Sequence, residues 1–231
     1  MKRKAVVLLS GGLDSAVTLF LAKNKGYECN CLNFDYGQRH GIEMTMAKKL
    51  SHLAGAELKT VKLSLPWGGS SLLDKNVALP LGRNPRTIKT SGIPSTYVPA
   101  RNTIFLGIAA SYAEAIGADD IFIGAHFEDS SGYPDCRKEY LEAIDHVIKI
   151  GTKRGLENRL SLKFPLIGMT KKEIILLGDS LGIPFQYTWS CYKGGAARRN
   201  VANAPCGICD SCTLREKGFK EAAVRDPLRG I

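Results

Sequence analysis

Two short stretches of this chain carry residue types that do chemistry at defined spacing. The first is Ser10-Gly11-Gly12-Leu13-Asp14-Ser15. Glycines let the backbone turn sharply and let a ligand approach it closely. A helix starting after them offers free N–H groups and the positive end of its dipole, a combination that binds anions. Ser10 and Ser15 add hydroxyls, and Ser15 is placed to act as N-cap when no ligand is bound. Asp14 suits bare phosphate poorly, so it either faces a metal ion or shapes the turn. No Lys-Ser or Lys-Thr follows the glycines, which excludes a Walker loop, and their spacing is not the dinucleotide fingerprint. The chemistry expected here is phosphate binding.

The second stretch is Cys206-x-x-Cys209-x-x-Cys212, with Cys191 upstream. Four thiolates match a closed tetrahedral zinc site, and the same spacing also occurs in iron–sulfur proteins. The chain has seven cysteines, an odd count that cannot pair completely. Its first residues, Met-Lys-Arg-Lys and then only five apolar residues, do not read as a secretory signal. A cytoplasmic, reducing setting is therefore expected, where clustered cysteines are metal ligands or reactive thiols before they are disulfides. Cys29 and Cys31 fit a buried strand, and Cys136 reads as an exposed thiol in a loop.

The elements that must position these groups alternate between strand and helix, the pattern of a parallel sheet covered by helices. Strands are predicted at 4–9, 29–34, 57–63, 120–124 and 162–166. Helices are predicted at 15–25, 41–54, 102–116, 140–150 and 170–181. The last of these opens on a capping box, Thr170 with Glu173. Asp35, Tyr36, Arg39 and His40 then follow the second strand, at the carboxyl edge where open α/β sheets bind ligands. Arg39 is a candidate clamp for a planar oxyanion, since Arg binds such groups bidentately, and Arg101 is a second. His52 and His146 sit on helical faces and read as structural. Residues 64–101 hold five of the ten prolines and read as a long loop, either an active-site lid or an insertion. The chain is expected to divide into a nucleotide-binding and catalytic part, 1–187, and a small metal-binding segment, 188–231.

Composition narrows the class without naming a substrate. With 44% hydrophobic and 23% charged residues, the chain is globular in type, and disordered or collagen-like classes are out. No window has the roughly 18 apolar residues of a membrane span. The net charge of +10 is spread along the chain in short runs such as Lys48-Lys49 and Arg198-Arg199. It suits either a nucleic-acid surface or small anionic substrates.

The string S-G-G-L-D-S resembles the PP-loop of the ATP pyrophosphatases, which cleave ATP between its α and β phosphates. Five further strings are similar to one family within them, the 7-cyano-7-deazaguanine synthases: F-D-Y-G-Q-R-H at 34–40, Y-V-P-A-R-N at 97–102, S-G-Y-P-D-C-R at 131–137, T-W-S-C-Y-K-G-G at 188–195 and C-G-I-C-D-S-C at 206–212. They occur in that family's order and span nearly the whole chain. The resemblance implies a Rossmann-like α/β fold of the adenine nucleotide alpha hydrolase type, a parallel sheet with helices on both faces and a small C-terminal zinc-binding segment. It implies a ligase that joins ammonia to 7-carboxy-7-deazaguanine with ATP and Mg²⁺, feeding queuosine or archaeosine synthesis.

Carried onto this sequence, the resemblance assigns ATP to Leu9, Ser10, Gly11, Gly12, Leu13, Asp14, Ser15, Ala16, Val17, Thr18 and Leu19. It gives catalysis to Asp14, Arg39, His40 and Arg101, and the deazaguanine to His126, Asp129, Asp135 and Arg137. Either Asp129 or Asp135 would meet the amidine edge of that ring. Zinc falls to Cys191, Cys206, Cys209 and Cys212, although the 191–206 connection is longer than is usual in the family. The partners implied are small molecules, without a membrane or an obligatory nucleic acid, and a homodimer stays open. A PP-loop enzyme acting directly on tRNA, or a zinc-containing nucleic-acid-binding regulator, is the alternative.

Overall fold

The computed structural model describes residues 2–126, 132–194, 196–198 and 201–229. Five strands form one parallel sheet in the order β3-β2-β1-β4-β5: β1 Lys4–Leu8, β2 Glu28–Asp35, β3 Glu57–Lys62, β4 Asp120–Phe122 and β5 Ser161–Lys163. The central strands are apolar on both faces, as a parallel sheet covered on both sides requires. Their side chains alternate between two cores. Ala5 and Val7 of β1 join one cluster with Cys29, Cys31 and Phe122. Val6 and Leu8 join the other with Leu32, Phe34 and Ile121.

Helices α1 (Leu13–Asn24) and α2 (Ile42–Leu53) pack on the first face, and α4 (Arg101–Ile116) and α5 (Lys138–Gly151) on the second. Gly151 is followed by the single turn α6, Lys153–Leu156. Helix α7 (Lys171–Ser180) completes the first face through Ile174 and Ile175. The expected capping box is present: the Thr170 hydroxyl accepts from the Glu173 N–H, and the Glu173 carboxylate accepts from the Thr170 N–H. Among the described residues, no helix is long and apolar enough to cross a membrane.

Strand order reverses beside β1: its first crossover leads to β2, whereas β4 pairs on its other side. The loop after β1 therefore opens at a topological switch point, where such sheets bind ligands. Gly124, just beyond β4, lets that loop approach closely, because a Cβ there would lie 3.0 Å from the Asp14 carbonyl and the Ser15 nitrogen.

Three features depart from the sequence reading. Residues 64–101 are not structureless, since they contain α3 (Pro85–Thr90), capped by the Asn84 side chain with Pro85 in its first turn. This is a favoured helix start. The segment also pairs with the tail, where Leu81 bridges Cys209 and Arg83 bonds the Asp210 carboxylate. Second, the cysteine-rich tail includes a hairpin of β6 (Ala196–Arg198) and β7 (Val201–Ala204), which takes up the long 191–206 connection. Third, the tail ends in a regular helix, α8 (Asp210–Ala222), docked on α7 and the core through Phe219 and Phe185. A buried ion pair, Arg215 with Asp226 at 2.8 and 2.9 Å, also ties α8 to the Thr188 carbonyl and hydroxyl.

Candidate active site

The glycine loop is built from backbone. Gly11 sits at φ +91°, a region open to glycine, and a Cβ there would fall 2.1 Å from the Glu43 carbonyl oxygen. Gly12 caps α1 without a side-chain cap, so the first N–H groups of the helix face the cleft unpartnered by a side chain. This corrects the expectation for Ser15: the helix starts at Leu13, two residues earlier, and Ser15 lies in its first turn. The Ser15 hydroxyl donates to the Gly12 carbonyl at 3.0 Å and meets the Ser10 hydroxyl at 3.0 Å, while Ser10 accepts from the Gly12 N–H at 3.2 Å. Leu9, Ser10, Gly12, Leu13, Asp14 and Ser15 line the cleft. Ala16, Val17, Thr18 and Leu19 are wholly buried behind it, where α1 is enclosed nearly all round.

Asp14 has a partner that sequence reading missed. The Lys171 Nζ donates to both Asp14 carboxylate oxygens at 2.7 and 2.9 Å and lies 2.8 Å from His126 Nε2. Burial pushes the Asp14 carboxyl up, but the charges of Lys171 and His126 outweigh it and hold the group below its ordinary value. His126 is buried and sits 3.7 Å from the same carboxylate. It joins the loop end of the cleft through Lys171 and Asp14 and is not itself among the lining residues.

The strings after β2 and before α4 converge on the opposite wall. The Arg101 Nη1 donates to the Tyr36 hydroxyl at 3.1 Å, and its guanidinium lies over the Tyr36 and Phe105 rings. Burial disfavours the Arg101 charge, and Tyr36, Cys136 and Asp135 restore it, so the guanidinium stays a fixed cation. Glu43, in the first turn of α2, also lines the cleft; burial pushes its carboxyl up to about 7 against the pull of Arg101.

Arg39 does something other than expected. Its Nε donates to the Ser71 carbonyl at 2.5 Å, and its Nη2 to the Asp74 and Val77 carbonyls at 2.8 and 2.7 Å. It borders the cleft but spends these donors on fastening the 70–77 segment. His40 lines the cleft and packs against Gly194 of the tail, where a Cβ would be 2.7 Å from its ring. Burial lowers the His40 value, with the Cys191 and Tyr192 backbone acting the other way.

The residues expected to meet a ring separate. Asp135 is buried and accepts from the Asn102 N–H at 3.0 Å, while its carbonyl accepts from the Asn102 side chain. It caps α4 and does not line the cleft. Arg137 is exposed and is not among the residues lining the cleft. Asp129 lies outside the described residues. Cys136 is buried, not exposed, and accepts a bond from Asn102 Nδ2 at 3.3 Å. What does line this wall is aromatic and hydroxylic: Tyr133 meets Thr96 at 2.7 Å and Tyr192 at 3.4 Å through their hydroxyls.

Together these walls enclose a cleft of about 280 Å³, close to the lower end, roughly 300 Å³, of small-molecule sites. The cysteine module closes one side of it. The Sγ atoms of Cys191, Cys206, Cys209 and Cys212 are buried and lie within 4.8 Å of one another. Zinc–sulfur bonds of about 2.3 Å in a tetrahedron put sulfurs about 3.8 Å apart, so the set can hold one metal ion. Backbone N–H groups of Cys206 and Cys209 point at the Cys191 and Cys206 sulfurs at 3.3 and 3.4 Å, which favours thiolates. The module also touches the phosphate loop. The Trp189 N–H donates to the Gly11 carbonyl at 2.9 Å, and its indole N–H donates to the Cys191 carbonyl at 3.0 Å.

The family model for queuosine biosynthesis protein QueC matches residues 4–223. The chain belongs to the QueC family. It is 49% identical over 229 residues to the 7-cyano-7-deazaguanine synthase of Thermoplasma volcanium, which covers 99% of this chain and 91% of that one. The synthase of Trichodesmium erythraeum is 49% identical over 228 residues, covering 97% and 99%. Among solved structures, NMN synthetase from Francisella tularensis superposes with a TM-score of 0.49 at 15% identity, covering 97% of this chain and 78% of that chain. The QueC assignment makes this chain an enzyme, and Lys171 and Glu43 are two ionisable cleft residues that lie outside all of the family strings.

Proposed function

We propose that this QueC-family enzyme converts 7-carboxy-7-deazaguanine and ammonia into 7-cyano-7-deazaguanine with ATP and Mg²⁺, in queuosine or archaeosine synthesis. One observation carries the reading: a single cleft runs from the Gly11–Gly12 loop and Lys171 to the Arg101 guanidinium. A carboxylate resists ammonia because it is anionic and has no leaving group. Attack of a carboxylate oxygen on the α-phosphorus of ATP forms an acyl–AMP bond and releases pyrophosphate. Ammonia then displaces AMP to give the amide. The amide oxygen is adenylated by a second ATP, and loss of AMP with the remaining N–H proton leaves the nitrile.

The chain's own groups do positional and electrostatic work in these steps. Loop N–H groups and the α1 N-terminus hold phosphate, Lys171 neutralises charge beside Asp14, and Arg101 offers a cation to the substrate carboxylate. Arg39 holds the 70–77 segment over the cleft, and His40 seats the tail against it. The four cysteines hold zinc with no ligand position left open, a structural role; their crowding within 4.8 Å suits a single ion rather than an iron–sulfur cluster. The reading keeps 1–187 as the catalytic part and 188–231 as the zinc-binding segment. It places the enzyme in the cytoplasm acting on small molecules, with no obligatory nucleic acid, and is compatible with a homodimer.

The test is direct. Incubation with ATP, Mg²⁺, ammonium and 7-carboxy-7-deazaguanine should yield the nitrile mass with AMP and pyrophosphate. Absence of both nitrile and AMP would refute the assignment.

A further inference from the structure

Two carboxylates line the cleft among the described residues, Asp14 and Glu43. Asp14 is held by Lys171 and His126. Glu43 differs: no described residue forms a hydrogen bond or close ion pair with its carboxylate, and Arg101 acts on it only through the field of its charge. Its place is nevertheless fixed from two sides. Its backbone carbonyl lies against Gly11 of the phosphate loop, and its side chain lies within reach of the Arg101 field. In the reaction proposed above, the carbon that accepts nitrogen must sit between those same features. Its phosphoryl group belongs on the loop side and its oxygens face the cation. Glu43 lines the same cleft as the loop and Arg101, and on this reading its carboxylate is on the side of the reacting carbon.

The chemistry lacks one thing at that point. Ammonium, like a lysine side chain at about 10.4, is protonated at neutral pH and has no free electron pair. We propose that Glu43 is the ammonium site: its carboxylate pairs with the incoming ammonium ion and takes one proton from it. This inference rests on the ligase reading. The N–H bond breaks and its proton goes to a Glu43 oxygen. The nitrogen pair forms the new C–N bond as the carbonyl π pair moves onto oxygen. Collapse of the adduct breaks the C–O bond to AMP, whose phosphate leaves with that electron pair. A second nitrogen proton goes to solvent, leaving the neutral amide, and Glu43 returns its own proton to solvent.

Glu43→Gln tests this with three measurements. Substrate-dependent exchange of labelled pyrophosphate into ATP needs adenylation alone and should stay within about threefold of wild type. Amide and nitrile formation from ammonium should fall about 100-fold, the lower range for loss of a general base. Hydroxylamine is a neutral nucleophile at neutral pH, so hydroxamate formation should stay near the wild-type rate. Ammonium use at the wild-type rate overturns the proposal, and so does a parallel loss of exchange and hydroxylamine use. If Glu43→Gln does not fold, Glu43→Asp decides instead. It should keep exchange and raise the KM for ammonium, and an unchanged ammonium KM overturns the proposal. Absence of exchange in the wild-type protein would refute the ligase reading itself, a separate result.

Discussion

Lys171 and Asp14 are 157 positions apart in sequence, yet the lysine Nζ bonds both carboxylate oxygens at 2.7 and 2.9 Å. The relationship explains how Asp14 can stand in a phosphate loop: its charge is answered before any phosphate arrives. It also explains why the capping box at Thr170 matters to the site, since it fixes the first residue of α7, which is Lys171.

Replacing Lys171 with Met leaves Asp14 facing only His126. The pair is partly exposed, between the surface and buried limits, so a stability loss of about 2 kcal/mol is expected. The folded state holds Asp14 below its ordinary value, so the pair's stabilisation is complete above roughly pH 4 and lost as pH falls below that. The gap between wild type and variant should therefore narrow on acidification, as read by urea melts from pH 7 to pH 3. Pyrophosphate exchange should fall about 100-fold; an unchanged exchange rate would remove Lys171 from the phosphate end.

A second route to Lys171 runs through α8. A Cβ on Gly218 would lie 2.4 Å from the Lys171 Cγ and 2.9 Å from the Ile175 Cδ1. Gly218 does not itself line the cleft, yet Gly218→Ala must push the lysine stem or part α7 from α8. Overpacking of this kind costs about 1–3 kcal/mol. The expected result is a lower melting temperature with a raised KM for ATP. A variant that melts early but keeps its KM would show that Lys171 moves freely of α8.

These contacts mark where sequence reading ended. The sheet was legible because β-branched runs alternate with helix-period stretches, and the phosphate loop because glycines and hydroxyls stand between a strand and a helix. The four cysteines were legible by spacing alone. Lys171 was not, because a lysine in a first helical turn has no local feature that separates it from a solvated one. Glu43 reads the same way, as an ordinary acid near a helix N-terminus. Asp135 misled for the converse reason: a carboxylate in a motif string was given to a ligand, and the fold uses it to cap α4. Arg39 was located but not its target, since the carbonyls it bonds lie 32 to 38 residues away. Helix α8 has a polar sequence and is held by packing on α7, which no local pattern reports.

Arg39→Lys keeps the charge and loses the planar fork that bonds three carbonyls. Lysine offers a point charge on a flexible stem, so the 70–77 segment should loosen while the sheet stays intact. Limited proteolysis should then cut within 70–77 faster than in wild type, and substrate KM should rise several-fold with a smaller change in kcat. Equal cutting rates would show that the segment is held by Ser70, Ser71 and Ser95 without the arginine.

Gly11→Ala separates loop shape from loop charge. The new Cβ would lie 2.1 Å from the Glu43 carbonyl oxygen, and the left-handed backbone adds about 1–2 kcal/mol of strain for a side-chain-bearing residue. No charge changes, so a loss must come from the loop moving off α2. Calorimetric titration with pyrophosphate and Mg²⁺ should show at least tenfold weaker binding, and retained affinity would mean that the loop can shift as a unit without losing its donors.

Removal of the metal should reach the phosphate loop as well as the tail. The Trp189 N–H holds the Gly11 carbonyl, and its indole holds the Cys191 carbonyl, so the cysteine cluster and the loop share one rigid link. Elemental analysis should give close to one zinc per chain, and Cys209→Ser should lower the yield of folded protein, because metal-binding energy in such modules is folding energy. In the fraction that folds, pyrophosphate binding should weaken together with zinc content. If zinc-depleted protein binds pyrophosphate as tightly as the intact enzyme, the Trp189 link transmits nothing and the metal serves the tail alone.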